Sequence, residues 1–114
     1  MIMSNVPGAK QSPRLENGIL YFYHLDTFDL QIELELTDQD GMAMDATGTV
    51  DVVFRDDCHN IIKEFTLTPS NNIITLDFNA DVSALFRIGE YRYDVYYNGE
   101  ERTTIANDNK VVVQ

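Results

Sequence analysis

The chain has no tryptophan, one cysteine, two histidines, three prolines and only eight basic residues against nineteen acidic ones. Each shortage excludes something. A formal charge of -11 argues against a nucleic-acid partner, because phosphate neutralisation needs Lys and Arg in numbers. It disfavours anionic membrane surfaces for the same reason. A lone cysteine, Cys58, excludes an internal disulfide framework. No apolar run approaches the roughly 20 residues of a spanning helix, so no membrane insertion is expected. The opening residues lack a continuous apolar core, so no secretory signal is expected and synthesis in a reducing cytoplasm is.

What is present is strand grammar. Between Thr27 and Leu36, Phe28, Leu30, Ile32, Leu34 and Leu36 alternate with Asp29, Gln31, Glu33 and Glu35. That period of two predicts one face on a core and one in water. Val50, Val52 and Phe54 repeat the pattern, and Ile61–Leu67 and Ile73–Phe78 read as two further strands around the turn 68–72. Residues 79–87 have the only helical flavour, predicting a single turn with Val82, Leu85 and Phe86 against the sheet. Tyr91, Tyr93, Val95 and Tyr97 alternate up to Asn98-Gly99, which predicts a two-residue hairpin turn, a second extended run from Glu101 to Ala106 and a last strand from Lys110.

Residues 1–18 carry Pro7, Gly8, Pro13 and Gly18 without periodicity and read as an N-terminal arm, either mobile or laid along its own domain. Residues 19–114 read as one domain. Seven or eight short strands with one helical turn predict an all-β, antiparallel β-sandwich, since one-sided strands bury their apolar face against a second sheet. A tyrosine-rich penultimate strand entered from a short helical turn suggests the immunoglobulin-like kind.

No catalytic constellation is visible. Asp38-Gln39-Asp40-Gly41 opens like a calcium loop, but the twelfth position is Thr49 where an EF-hand needs Glu. An acidic turn explains it. Cys58-His59 lacks the further ligands that zinc demands, and adjacent residues on one turn make a poor nucleophile–base pair. Glu33, Glu35, Asp51, Asp77 and Asp94 occupy outward strand positions, where solvation suffices. No enzymatic activity, metal or cofactor is expected. Exposed tyrosines are the more promising surface: Tyr21, Tyr23 and Tyr96, with Arg102 nearby, are the candidate contact residues. For Tyr96 an ordinary cross-strand role is the alternative.

Two segments carry a family resemblance. Asp26 to Val50 (DTFDLQIELELTDQDGMAMDATGTV) and Ile88 to Val113 (IGEYRYDVYYNGEERTTIANDNKVVV) resemble the opening and closing motifs of immunoglobulin-like structural domains in tailed-phage virion proteins, including the N-terminal domains of baseplate upper proteins. The resemblance implies turn roles for Gly41, Gly48 and Gly89, and a penultimate strand marked by Tyr91, Tyr93 and Asp94. It also implies a head, tail or baseplate component of a phage or prophage. Such a protein is made in the bacterial host cytoplasm and works in the virion through contacts with other virion proteins and with copies of itself. The competing expectation is a carbohydrate- or cell-surface-binding module that stacks sugars on tyrosines.

Overall fold

A computed structural model describes residues 12–114. Ten strands and one helical turn follow in order: β1 (Arg14–Glu16), β2 (Ile19–Phe22), β3 (Phe28–Glu33), β4 (Leu36–Thr37), β5 (Ala43–Met44), β6 (Thr49–Asp56), β7 (Ile61–Leu67), β8 (Ile73–Phe78), α1 (Ala80–Ser83), β9 (Gly89–Asn98) and β10 (Arg102–Val113). The expected arm thus divides. Arg14–Glu16 pair with β2 as an antiparallel hairpin, and residues 1–11 lie outside the described residues.

The main sheet has the order β1-β2-β10-β9-β6-β7, accompanied by the ribbons β3-β8 and β4-β5. The all-β expectation holds, but the antiparallel one fails at one place. Strand β2 lies parallel to β10, with Leu20, Tyr21 and Phe22 opposite Val111, Val112 and Val113. Hairpin arithmetic cannot reveal this, because the pairing joins the two ends of the chain.

The ribbon β3-β8 covers one face of the main sheet. Alternation on β8 buries Ile74, Leu76 and Phe78, and on β6 it buries Val50, Val52 and Phe54. Phe78 is the joint between the layers. Its ring is stacked on Phe28 at 4.7 Å and lies 5.6 Å from both Phe22 and Phe54, 5.7 Å from Phe65 and 5.8 Å from Phe86. Offset and edge-to-face contacts of this kind add to the burial of the rings themselves.

Three local expectations need correction. Asn98 belongs to β9 and pairs with both Thr49 and Arg102, so the loop is Gly99-Glu100-Glu101 and not a two-residue turn. The reason is that Asn98 Nδ2 donates to Asp51 and its Oδ1 accepts from Arg102, which holds the residue in the ladder. The extended runs after it form one strand, β10, interrupted by register shifts between Thr104 and Asn109. In the helical turn, capped by Asn79 through Val82 N–H, Val82 and Phe86 are buried but Leu85 is 48% exposed. Gly48 serves close approach: a Cβ there would stand 1.9 Å from the Asn98 carbonyl oxygen.

Truncating Phe78 to Ala is expected to lower stability by about 3–5 kcal/mol, as for other core Phe→Ala changes, and Phe78→Leu by clearly less. Urea unfolding followed by far-UV circular dichroism measures both. Equal costs would mean that refilling the volume recovers nothing and that the ring itself carries the effect.

Candidate functional site

The outer face of the main sheet gathers the chain's most connected polar side chains. On β9 the inward parity carries Tyr91, Val95 and Tyr97, which are buried, and the half-buried Tyr93. The outward parity carries Arg92, Asp94, Tyr96 and Asn98. Asp94 sits in that outward set and yet is only 3% exposed. Its Oδ2 lies 2.9 Å from Arg55 Nη2 and accepts the Tyr96 hydroxyl at 3.1 Å, while Oδ1 accepts the Asp108 N–H at 2.7 Å. Asp108 has φ of 59° and falls at the bulge of β10. The buried carboxylate therefore holds the bulge in place, and the bulge shields the carboxylate from water.

Alternation alone misses Asp94, since its parity is the solvated one. The available signal is Asn107-Asp108-Asn109, three residues that tolerate left-handed backbone and so favour a bulge.

A second cluster surrounds Asp51. Its carboxylate accepts from Asn98 Nδ2 at 3.0 Å, from the Thr66 hydroxyl at 2.8 Å and from Arg102 Nη1 at 2.9 Å. The amide of Asn98, then the Thr66 hydroxyl and then Arg102 hold the Asp51 carboxyl below its ordinary 3.8, against the opposing effect of burial.

Of the four candidate contact residues, two meet. Arg102 lies over the Tyr96 ring, 4.2 Å from its centroid. Tyr21 lies on the same outer face at the other end of β10, opposite Val112, and Arg14 covers its ring at 4.4 Å. Tyr23 follows β2, is 39% exposed and donates its backbone N–H to Ser12 Oγ. The set is therefore split between opposite ends of the sheet. Tyr96 combines both readings, being a cross-strand partner of Thr104 and half-exposed at the surface.

Adjacent tyrosines are tuned in opposite directions. Burial, then the hydrogen bond to Asp94 and that carboxylate's charge, push the Tyr96 phenol above its ordinary 10.0. Tyr97 faces inward, where its hydroxyl oxygen accepts the N–H groups of Thr47 and Gly48 at 2.9 and 3.0 Å. The Thr47 side chain first, and then these backbone donors, pull it below against the effect of burial.

The remaining motifs resolve into turns. Asp38 Oδ1 accepts the N–H groups of Asp40 and Met42, with Gly41 at φ of 78°. Asp56 Oδ1 accepts those of Cys58 and Asn60. His59 Nδ1 lies 3.1 Å from Arg55, whereas His24 Nδ1 lies 2.9 Å from the Phe86 carbonyl oxygen, so the two histidines serve different partners. One further contact concerns the start of β9: the Tyr91 hydroxyl donates to the Arg87 carbonyl at 2.9 Å. No protein-family model, curated protein or solved structure matches the chain.

Replacing Asp94 with Asn is expected to cost about 2–4 kcal/mol. That is somewhat under the value for removing one partner of a fully buried pair, because Arg55 keeps 20% of its side chain in water. Arg102→Ala, at a side chain 53% exposed, should cost at most about 1 kcal/mol. Urea titrations of both variants check this order.

Asp51 gives a pH dependence with a definite sign. Its folded-state pKa is depressed, so its contribution is fully present above about pH 4 and is lost as the pH falls through the folded value. Acid unfolding of Asp51→Asn should be shallower below pH 4 than that of the parent. An unchanged acid limb would remove Asp51 from the account.

Proposed function

We propose that the chain is an immunoglobulin-like sandwich acting as a non-enzymatic structural module of a tailed-phage or prophage virion, docking onto neighbouring virion proteins and further copies of itself. The observation that carries the immunoglobulin-like reading is the bond from the Tyr91 hydroxyl to the Arg87 carbonyl. Immunoglobulin-like sandwiches have such a tyrosine at the start of the penultimate strand, bonded to backbone a few residues upstream at the corner where the chain changes sheets. Here β9 is the penultimate strand, and the corner leads from β8 and α1 into it. A sheet of β2, β10, β9, β6 and β7 facing the ribbon β3-β8 fits the same reading.

Sheet edges support an assembly role. Among the described residues, β7 ends the main sheet with one side of its backbone unpaired in the ladder. Such edges recruit further strands. Ile61 on β7, 60% exposed, adds an apolar side chain to that edge. The virion context itself rests on the resemblance of the two end segments.

The sugar-binding alternative is less favoured by the tyrosines themselves. A stacking platform needs a free ring face, and Arg102 and Arg14 each lie over one face of Tyr96 and Tyr21. The hydroxyl of Tyr96 is also committed to Asp94.

Sedimentation over a range of concentrations, run in parallel with a glycan array, tests the reading. The expected result is mass that rises with concentration, falls back in Ile61→Lys, and comes with no retained glycan. A concentration-independent monomer that holds a glycan and loses it in Tyr96→Ala would overturn it.

A further inference from the structure

One pole of the molecule exposes large apolar side chains and carries one of them on left-handed backbone. Three segments meet there. The His24 N–H donates to the Gln114 carbonyl, and the Gln114 N–H donates to the Phe22 carbonyl, both at 2.9 Å. His24 Nδ1 lies 2.9 Å from the Phe86 carbonyl, and the Ser83 hydroxyl donates to the Asp26 carbonyl. These bonds fix residues 23–26 against residues 83–88 and the end of β10.

The same segments present large apolar side chains to water: Leu25 at 57%, Leu85 at 48%, Ile88 at 70% and Tyr23 at 39% exposure. Leu25 has φ of 69°. A bulky residue in left-handed backbone is a true outlier and persists only where surrounding structure enforces it. Folding alone gains nothing from Leu here, because Gly or Asn would relieve the backbone and leave less apolar surface in water. A pre-set apolar patch of this kind marks a protein contact.

Charge selects the occupant. The chain is acidic overall, at -11, so a basic partner is attracted, and a second copy meeting this pole end to end would set like charge against like. The flanks of the pole repeat the bias locally. Asp26 and Asp81 stand exposed beside Arg87, while Glu90 is paired with Lys110 at 3.0 Å and Arg14, which reaches the Gln114 side chain, is paired with Glu16 at 2.6 Å. We propose that the Tyr23–Leu25–Leu85–Ile88 pole docks a partner protein through an apolar patch rimmed by Lys and Arg, not a second copy of this chain. The inference stands on the pole alone and does not need the virion reading or the sheet edges.

The test uses two amphipathic helical peptides as probes, one of Leu and Lys and one of Leu and Glu, measured by fluorescence anisotropy against the intact chain. The critical variant is Leu25→Asn with Ile88→Asn, since Asn tolerates the left-handed conformation and the fold should survive. The Leu/Lys peptide is expected to bind, more weakly as salt rises, and the Leu/Glu peptide is not. The double variant should lose about tenfold or more in affinity, as truncation of a central apolar contact does, with an unchanged or higher melting temperature. Equal binding by parent and double variant would reduce the effect to bulk charge and overturn the proposal. So would self-association that the double variant abolishes, which would make a second copy the occupant, and so would no binding of the Leu/Lys peptide at all.

Discussion

The ring of Phe78 decides whether the two layers stay together. Strand β8 shares only one neighbour in its own ribbon, β3, so backbone pairing cannot fasten that ribbon to the main sheet. Side-chain contact must do it. Phe78 reaches Phe22, Phe54, Phe65 and Phe86, and these rings come from β2, β6, β7 and the segment that leads into β9. With no tryptophan in the chain, small interlocking phenylalanines take the place of one large central ring. Such a core tolerates little change of volume, because each ring is a wall for several others.

On the opposite face of the sheet the organising interactions are polar, and their strengths differ with burial. Asp94 and Arg55 form a pair that is 4% and 20% exposed, with further hydrogen bonds to both carboxylate oxygens. Asp51 and Arg102 form a pair that is 13% and 53% exposed. Geometry is comparable in the two, at 2.9 Å each, so distance does not rank them. Burial does, because water screens the second pair and not the first. The first pair fixes the β10 bulge, and the second ties β10 to β6 across the intervening strand β9, through Asn98.

How much of this could be read from residues alone depends on the range of the interaction. The alternation along Val50, Val52 and Phe54 predicts which side chains are buried, because period two is a local property. From Phe28 to Leu36 it predicts the inward side, but the run divides into β3 and β4, and Phe28, Leu30 and Ile32 are only partly buried. The β7–β8 turn was legible in the same way: Asn71 and Asn72 both adopt positive φ, with Asn72 Oδ1 taking the Ala46 N–H as well. The hairpin at Asn98-Gly99 misled for an equally physical reason. Asn98 favours left-handed turns when free, but three side-chain partners on β6 and β10 hold it in the strand. Likewise nothing local distinguishes Asp94 from the solvated Asp77, since only the bulge opposite it removes the water. The exposed Leu85 was missed because a helical turn of four residues has too short a pattern to define its buried side.

The parallel pairing of β2 with β10 has a consequence for when the apolar pole exists. Beside the local Asp26–Tyr23 bond, the bonds that fix residues 23–26 to the rest of the pole reach the far end of the sequence: Gln114, Phe86 and Ser83. Contacts of such sequence separation carry the largest loop-closure entropy and form late, once the intervening strands have shortened the effective loop. A chain stalled before β2 and β10 pair has the exposed tyrosines and the β7 edge but lacks the fixed pole. Presentation of Leu25 and Ile88 is therefore coupled to completion of the sheet, and a partner that reads this pole discriminates finished domains from unfinished ones. The same argument explains why the left-handed Leu25 is tolerated. Its backbone cost is small beside the burial of Leu20, Phe22, Val111 and Val113 that accompanies closure of the β2–β10 pair.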